Sequence, residues 1–212
     1  MTTTPPDVID AIVGISPGDD LDAVRAGRPE ARLHAQGSYL ALFEPRDQNH
    51  MSLEERHAVA AFVAVLHAQP ATADFYSSAL TDAQGGSDRV AALVLDEARR
   101  ASHPGPYGAF PGENADESTT GPGYSVASVE SAYVLGDRLA AALEHAHMLT
   151  LHPRDADREA IQRLFDAGWS STGVVTLSQL VAFLAFQIRV VQGLTALRGR
   201  APAEGRPEGD IR

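Results

Sequence analysis

The sequence predicts an all-α protein. Apolar residues recur at helical spacing, as in Val59, Phe62, Val63 and Leu66, and such a period of three to four residues is typical of an amphipathic helix. Signals for strands are weak, because there is no Asn-Gly hairpin turn and alternating apolar runs are few. With 44% apolar residues among 212, the chain can bury a sizeable core.

The chain divides into an arm, a main domain and a tail. Residues 1–28 predict an N-terminal helical arm, with short helices at about 7–13 and 20–25. Residues 29–197 carry the remaining helical pattern and predict one helical domain. Residues 198–212 are rich in Pro, Gly and charge, a composition that favours a disordered tail.

The clearest helix start in the main domain lies at Ser52. A first helix is expected over 29–43, because proline suits the first helical turn. Ser52 is followed three residues later by Glu55 and then by an apolar run, the pattern of a capping box. Pro70 ends that run and begins another helix, which we expect to reach about Leu80.

The second half of the chain predicts further helices around one long loop. Ser87 begins one helix, and others are expected at about 128–150, 155–167 and 172–197, the last as a central core helix because it is apolar on nearly every face. Residues 102–124 are too rich in Gly and Pro for regular structure. A loop of this length is unusual inside a compact domain and is often functional or disordered.

Charge and composition exclude several classes of function. The net charge of −11 and the pI near 5.1 argue against nucleic-acid partners and anionic membrane surfaces. The apolar stretch 174–194 contains Gln179, Gln187 and Arg189, which favours a buried helix over a membrane span. The N-terminus has no basic, apolar leader. We therefore expect a cytoplasmic protein, without disulfides or zinc–thiolate sites because it has no cysteine.

Several stretches share the order and character of a known helical motif. Leu53-Glu-Glu-Arg56 leads into an Ala/Val-rich helix and a short second helix, LAAALEHAHMLTLHP follows at 139–153, and 164–171 with 181–194 close the pattern. In this order they resemble the alkylhydroperoxidase D-like superfamily, which includes the carboxymuconolactone decarboxylases, and above all its peroxidase-related branch. The resemblance covers about residues 30–197. It implies an alkylhydroperoxidase D-like helical bundle that self-associates as a homo-oligomer.

The residues that carry the chemistry of that superfamily are all replaced. Thiol-bearing members have a Glu, a Cys-x-x-Cys pair and a His, with which a thiolate attacks a peroxide or disulfide while Glu and His relay protons. Aligned on Glu55-Arg56, these positions fall on His57, Gln69, Thr72 and Tyr76. Since the chain has no cysteine, thiol peroxidase activity by its own thiols is excluded.

The residues at these positions are polar, and they predict a site that works without thiols. The resemblance implies that His57 or Tyr76 moves a proton, that Gln69 and Thr72 hold a ligand by hydrogen bonds, and that Arg189 binds an anion. The site would lie between helices 52–67 and 70–80 under the 102–124 loop.

Simpler interpretations of the same residues stay open. His57 is also consistent with a surface histidine and Tyr76 with a core residue, and Gln69 and Thr72 with helix caps beside Pro70. Arg189 is consistent with a structural ion pair, for instance with Glu55, because a charge in an apolar helix needs a partner.

Three histidines at 145, 147 and 152 suggest a metal site at first sight. Helix residues two apart point in roughly opposite directions, whereas helical metal pairs prefer spacings of three or four. We therefore expect neither a metal nor another cofactor.

Two functions of different class follow. One is acid/base chemistry on, or binding of, a small organic acid by a cysteine-free relative of the carboxymuconolactone decarboxylases. The other is a non-catalytic partner or regulatory subunit of a cysteine-bearing homologue, because all four chemical positions of the motif differ together.

Overall fold

The described part of the protein is helical throughout. The structure, a computed structural model, describes residues 6–83 and 88–199. Within them the helices are α1 Val8–Val13, α2 Asp20–Ala26, α3 Pro29–Phe43, α4 Leu53–Leu66, α5 Pro70–Ala83, α6 Asp88–Ala101, α7 Val129–Leu151, α8 Arg158–Asp166 and α9 Ser171–Arg198. Strand-like pairing among these residues is confined to one isolated bridge between Gly108 and Thr119. The all-α prediction is confirmed.

The capping box at the start of α4 is formed as predicted. The Ser52 hydroxyl accepts a hydrogen bond from the backbone N–H of Glu55 at 3.1 Å, and the Glu55 carboxylate accepts one from the backbone N–H of Ser52 at 2.8 Å. Two N–H groups that the helix leaves unpaired are thus satisfied. Pro70 begins α5, also as predicted.

Helix α4 lies at the centre of the protein. It packs against α5, α6, α7 and α9, and residues 56–64 along it are all buried. Four of its fourteen residues are alanines, at positions 58, 60, 61 and 64, and all four are fully buried. Small side chains on every face let several helices approach the same segment closely.

The prediction that α9 is the central helix is wrong in part. Leu177, Leu184 and Ile188 are fully buried on one side, but Val175 and Phe186 are about half exposed on the other. By length and composition α9 could cross a membrane, yet half of its most apolar stretch is buried inside the protein. This packing is compatible with a soluble protein.

The first two helices pack against the last one. Val8, Ile9 and Leu21 share an apolar cluster with Val191 and Leu194 of α9. The buried Arg25 guanidinium donates hydrogen bonds to the carboxylates of Asp7, which caps α1, and Asp10, which lies within α1, at 2.7 Å each. Charge pairing therefore fixes α2 against α1 beside this apolar contact.

Helix α7 contains a kink that the sequence did not predict. Its bounds agree with the expected helix over 128–150, but Gly136 has φ 72° and ψ 160°. This backbone region is essentially restricted to glycine. The chain therefore changes direction at Gly136, and the short segment 129–135 precedes the long buried part of the helix.

The 102–124 loop is more ordered than predicted. It contains a short 3-10 helix at Gly112–Glu117, although no regular structure was expected there. Its aromatic residues pack against the rest of the protein: the Arg154 guanidinium lies 3.6 Å from the centre of the Phe110 ring, and the Tyr124 hydroxyl donates to Glu97 at 3.0 Å. The predicted cap at Ser87 and the part of the predicted tail from residue 200 onward lie outside the described residues.

Candidate functional site

The residues proposed to be catalytic, His57 and Tyr76, lie together in a closed aromatic cluster. Phe43 stacks on both, with ring centres 5.0 Å from His57 and 4.9 Å from Tyr76, and the His57 and Tyr76 rings are 6.3 Å apart. His57 is 8% exposed and Tyr76 is completely buried. The alternative that His57 is a surface residue is therefore wrong.

Tyr76 has a partner that the sequence analysis did not include in the site. Its hydroxyl donates a 2.7 Å hydrogen bond to the side-chain oxygen of Gln187 on α9. Gln187 is fully buried. An amide inside an otherwise apolar helix was the available signal, because a buried amide needs a partner, but nothing local indicates which residue supplies it.

The cluster contains polar atoms without hydrogen-bond partners. Within the described residues these are Nδ1 of His57, Oγ1 of Thr72 and Nε2 of Gln187. Thr72 is fully buried, and since its hydroxyl makes no hydrogen bond, the interpretation of Thr72 as a helix cap is wrong. Gln69 is half-buried, and its carbonyl accepts from the N–H of Ala73 at 2.9 Å.

Burial sets the protonation of both rings. It lowers the pKa of His57 to about 4, with a smaller contribution from the charge of Arg56. Burial also raises the pKa of Tyr76 well above its usual value, against the hydrogen bond to Gln187. At neutral pH His57 is therefore a neutral imidazole and Tyr76 a protonated phenol.

A large cleft in the described part of the protein lies elsewhere. It has a volume of about 800 Å³ and opens between the end of α4, residues 102–106 of the loop, the end of α7 and one side of α9. Helix α5 contributes no lining residue, so the expected pocket between α4, α5 and the loop is displaced toward α7 and α9. Its walls are largely apolar, including Leu66, Leu149 and Val181.

Arg189 is the cationic side chain of this cleft. It is exposed, and one guanidinium N–H donates to the carbonyl of Ala185 one turn earlier at 2.8 Å. The suggested ion pair with Glu55 is wrong, because Glu55 pairs with Arg138 at 3.0 Å. Among the described residues no carboxylate pairs with Arg189, so its charge is available to a ligand.

His67 also lines the cleft, and the sequence analysis did not propose it as a site residue. It follows the last residue of α4, and its Nε2 is buried without a hydrogen-bond partner. Burial lowers the pKa of His67, and the charge of Arg189 lowers it further. His67 is therefore a neutral base beside a cation.

The histidines at 145, 147 and 152 do not form a metal centre in the part of the chain that the structure describes. No group of three or more His, Asp or Glu side chains there is arranged to hold a metal ion. His147 contacts the carbonyl of Ala101 at 3.2 Å, and His152 contacts Asp155 at 3.1 Å. Both have protein partners instead.

No family model matches the chain, and no curated protein matches it. The fold defines an all-α protein, and the cleft with Arg189 and His67 defines its candidate site. Membership of the alkylhydroperoxidase D-like superfamily stays a prediction.

Proposed function

We propose that the protein binds a small organic acid with an apolar body in the cleft, and that Arg189 holds the carboxylate. The observation that carries the proposal is a guanidinium without a carboxylate partner among the described residues, at the side of an otherwise largely apolar cleft. Arginine recognises carboxylates through paired, charge-assisted hydrogen bonds.

Shape and charge support the same class of ligand. A volume of about 800 Å³ lies within the range of small-molecule sites, which combine apolar walls with a few polar groups that orient the ligand. The protein as a whole carries a net charge of −11 and repels anions at long range. Attraction of an acid must therefore come from a local cation such as Arg189.

Acid/base chemistry on the bound acid would use His67. A neutral imidazole beside a cation accepts a proton or a hydrogen bond from a ligand that the cation has placed. His67 lines the cleft, whereas His57 and Tyr76 do not. The proton-transfer role that the superfamily resemblance suggested for His57 thus passes to His67, and the His57–Tyr76 pair becomes part of the buried framework.

Titration with matched carboxylates and amides tests the proposal. We expect benzoate and hexanoate to give saturable binding by calorimetry. The uncharged benzamide and hexanamide should bind at least about tenfold more weakly than the matching acids. Arg189→Gln should weaken binding of the carboxylates by about tenfold or more, and Arg189→Lys should weaken it less because the charge remains.

The control is Arg46→Gln, which removes an exposed arginine that does not line the cleft. It should leave the affinity for benzoate unchanged. Equal affinities for acid and amide, or equal effects of the two Gln substitutions, would contradict the proposal. Absence of any saturable binding would do so as well and would favour the non-catalytic partner role.

A further inference from the structure

A second, smaller cavity lies beside α7. It has a volume of about 330 Å³ and is enclosed by α7, α8 and the end of the loop at Gly123 and Tyr124. None of its lining residues is shared with the larger cleft. It is therefore a candidate binding site separate from the cleft.

Two opposite charges face this cavity without pairing with each other. Glu144 of α7 and Arg163 of α8 both line it, yet no ion pair joins them. Glu144 accepts the backbone N–H of Val126 at 3.1 Å through one carboxylate oxygen. Within residues 6–83 and 88–199, the guanidinium of Arg163 makes no hydrogen bond, although its backbone carbonyl accepts one, so both side chains keep binding capacity for a third group.

A buried histidine stands beside the same two charges. His145 is 5% exposed, lines the cavity, and has no hydrogen-bond partner at either ring nitrogen among the described residues. Burial, and then the charge of Arg163, lower its pKa to about 4. The ring is neutral, with one nitrogen that donates and one that accepts, and a buried group of this kind is expected to have a partner.

The other acidic group of the cavity is already engaged. Asp155 contacts Nδ1 of His152 at 3.1 Å and accepts the backbone N–H of Ala109 at 3.4 Å. Glu144 is therefore the carboxylate with spare acceptor capacity. Ala141 and Ala160 contribute small side chains to the wall, and the volume of about 330 Å³ leaves room for a small molecule.

We propose that this cavity binds a small zwitterion of the α-amino acid class. The ligand's carboxylate pairs with the guanidinium of Arg163, its ammonium group pairs with the carboxylate of Glu144, and His145 exchanges a hydrogen bond with it. A ligand with a single charge would leave either Arg163 or Glu144 without a partner, whereas a zwitterion satisfies both at once.

Nuclear magnetic resonance titration with L-alanine and two singly charged analogues tests this assignment. L-Alanine should bind saturably at millimolar concentrations, while L-alaninamide, which lacks the carboxylate, and N-acetyl-L-alanine, which lacks the ammonium group, should bind at least about tenfold more weakly. Glycine and L-serine should behave like L-alanine, because they present the same two charges.

Two substitutions separate the charges. Arg163→Gln should weaken the binding of L-alanine by about tenfold and leave the binding of L-alaninamide nearly unaffected. Glu144→Gln should weaken the binding of L-alanine and leave the binding of N-acetyl-L-alanine nearly unaffected. The matched controls are Arg158→Gln and Glu159→Gln, which change exposed residues of α8 outside the cavity. Far-ultraviolet circular dichroism checks that each variant keeps its helices.

Three results would contradict binding of an amino acid in this cavity. It is overturned by the absence of saturable shifts with all three amino acids, or by analogues that bind as well as L-alanine. It is also overturned if Arg163→Gln weakens the amide and the amino acid alike. Arg189→Gln should leave L-alanine binding unchanged. The proposals for the cleft and for the smaller cavity are therefore tested independently.

Discussion

Two histidines ten residues apart, one within α4 and one directly after its last residue, occupy different kinds of environment. His57 is enclosed by Phe43 and Tyr76 in the core, whereas His67 follows the end of α4 and lines the large cleft. Burial lowers the pKa of both. A lowered pKa alone therefore does not identify a functional base, and access for a ligand makes the difference.

The surroundings of the two residues explain this contrast. Around His57, helices α4 and α5 run side by side and aromatic rings fill the space between them. Around His67, α4 has ended, and the loop that follows α6 does not fill the space between α7 and α9. Helix ends leave room that helix centres do not.

The largest expected effect concerns acid sensitivity of the closed region. The pKa of His57 in the folded protein, about 4, lies below its ordinary value of 6.5, so between these values the unfolded chain binds more protons. The stability that this histidine contributes is complete above pH 6.5 and is lost as the pH falls toward 4. Between about pH 7 and about pH 5 this loss amounts to about 2 kcal/mol.

Replacing the imidazole measures that contribution. In urea unfolding, His57→Phe should reduce the pH-dependent change in the free energy of unfolding by about 2 kcal/mol over that range. His34→Gln changes a histidine whose side chain is 79% exposed and should leave the slope as it is. An unchanged slope in His57→Phe would contradict burial as the cause of the shift.

An effect of similar size concerns the hydrogen bond between Tyr76 and Gln187. Tyr76→Phe removes the donor and leaves both polar ends of the buried Gln187 amide unpaired, which should lower the free energy of unfolding by about 1–3 kcal/mol. The double variant Tyr76→Phe with Gln187→Leu should recover much of the loss, because both polar partners are then apolar.

A double-mutant cycle in urea measures the coupling between the two side chains. Tyr133→Phe is the matched control: Tyr133 is 87% exposed, and the change should stay within about 0.5 kcal/mol. If the double variant were as unstable as the sum of the single variants, the hydrogen bond would not be the link between α5 and α9.

A smaller effect on stability separates the cleft from the core. Ala182 is exposed and lines the cleft, so Ala182→Trp should change the free energy of unfolding by no more than about 0.5 kcal/mol. The indole would occupy part of the cleft and weaken benzoate binding by at least about tenfold. Ala196→Trp, on the same helix but outside the cleft, should leave binding intact. Unaltered affinity in Ala182→Trp would place the ligand elsewhere.

The smallest effect is a shift in a single pKa. Because the charge of Arg189 contributes to the lowered pKa of His67, Arg189→Gln should raise that pKa, while burial keeps it below the ordinary value. The pKa of His57 should stay where it was. Proton-detected titration of the imidazole resonances measures both, and Arg189→Lys is the control that retains the charge. A rise in both would indicate a general loosening of α4.

Local patterns were enough to predict much of the fold. The capping box at Ser52 and the proline at position 70 determine hydrogen bonds or backbone angles within a few residues, and both helix starts lie where they were predicted. The kink at Gly136 was missed because a glycine within a helical pattern is often tolerated. Its backbone angles depend on packing against distant segments.

The candidate site was less predictable for the same reason. Tyr76 and Gln187 are 111 residues apart, and no local pattern links them. Arg189 was expected within a core helix because its neighbours are apolar, but α9 leaves one side uncovered. His67 lies at a helix end, where the sequence indicates a boundary and not the open space beyond it.

The backbone angles of Gly136 also favour one chirality of residue over the other. At φ 72° and ψ 160° an L-residue meets steric conflict, whereas the allowed regions of a D-residue are inverted and these same angles lie close to its extended region. A chain assembled chemically with D-alanine at this position should keep its shape, and the L-alanine version should strain it. The turn within α7 thus selects the chirality of its residue.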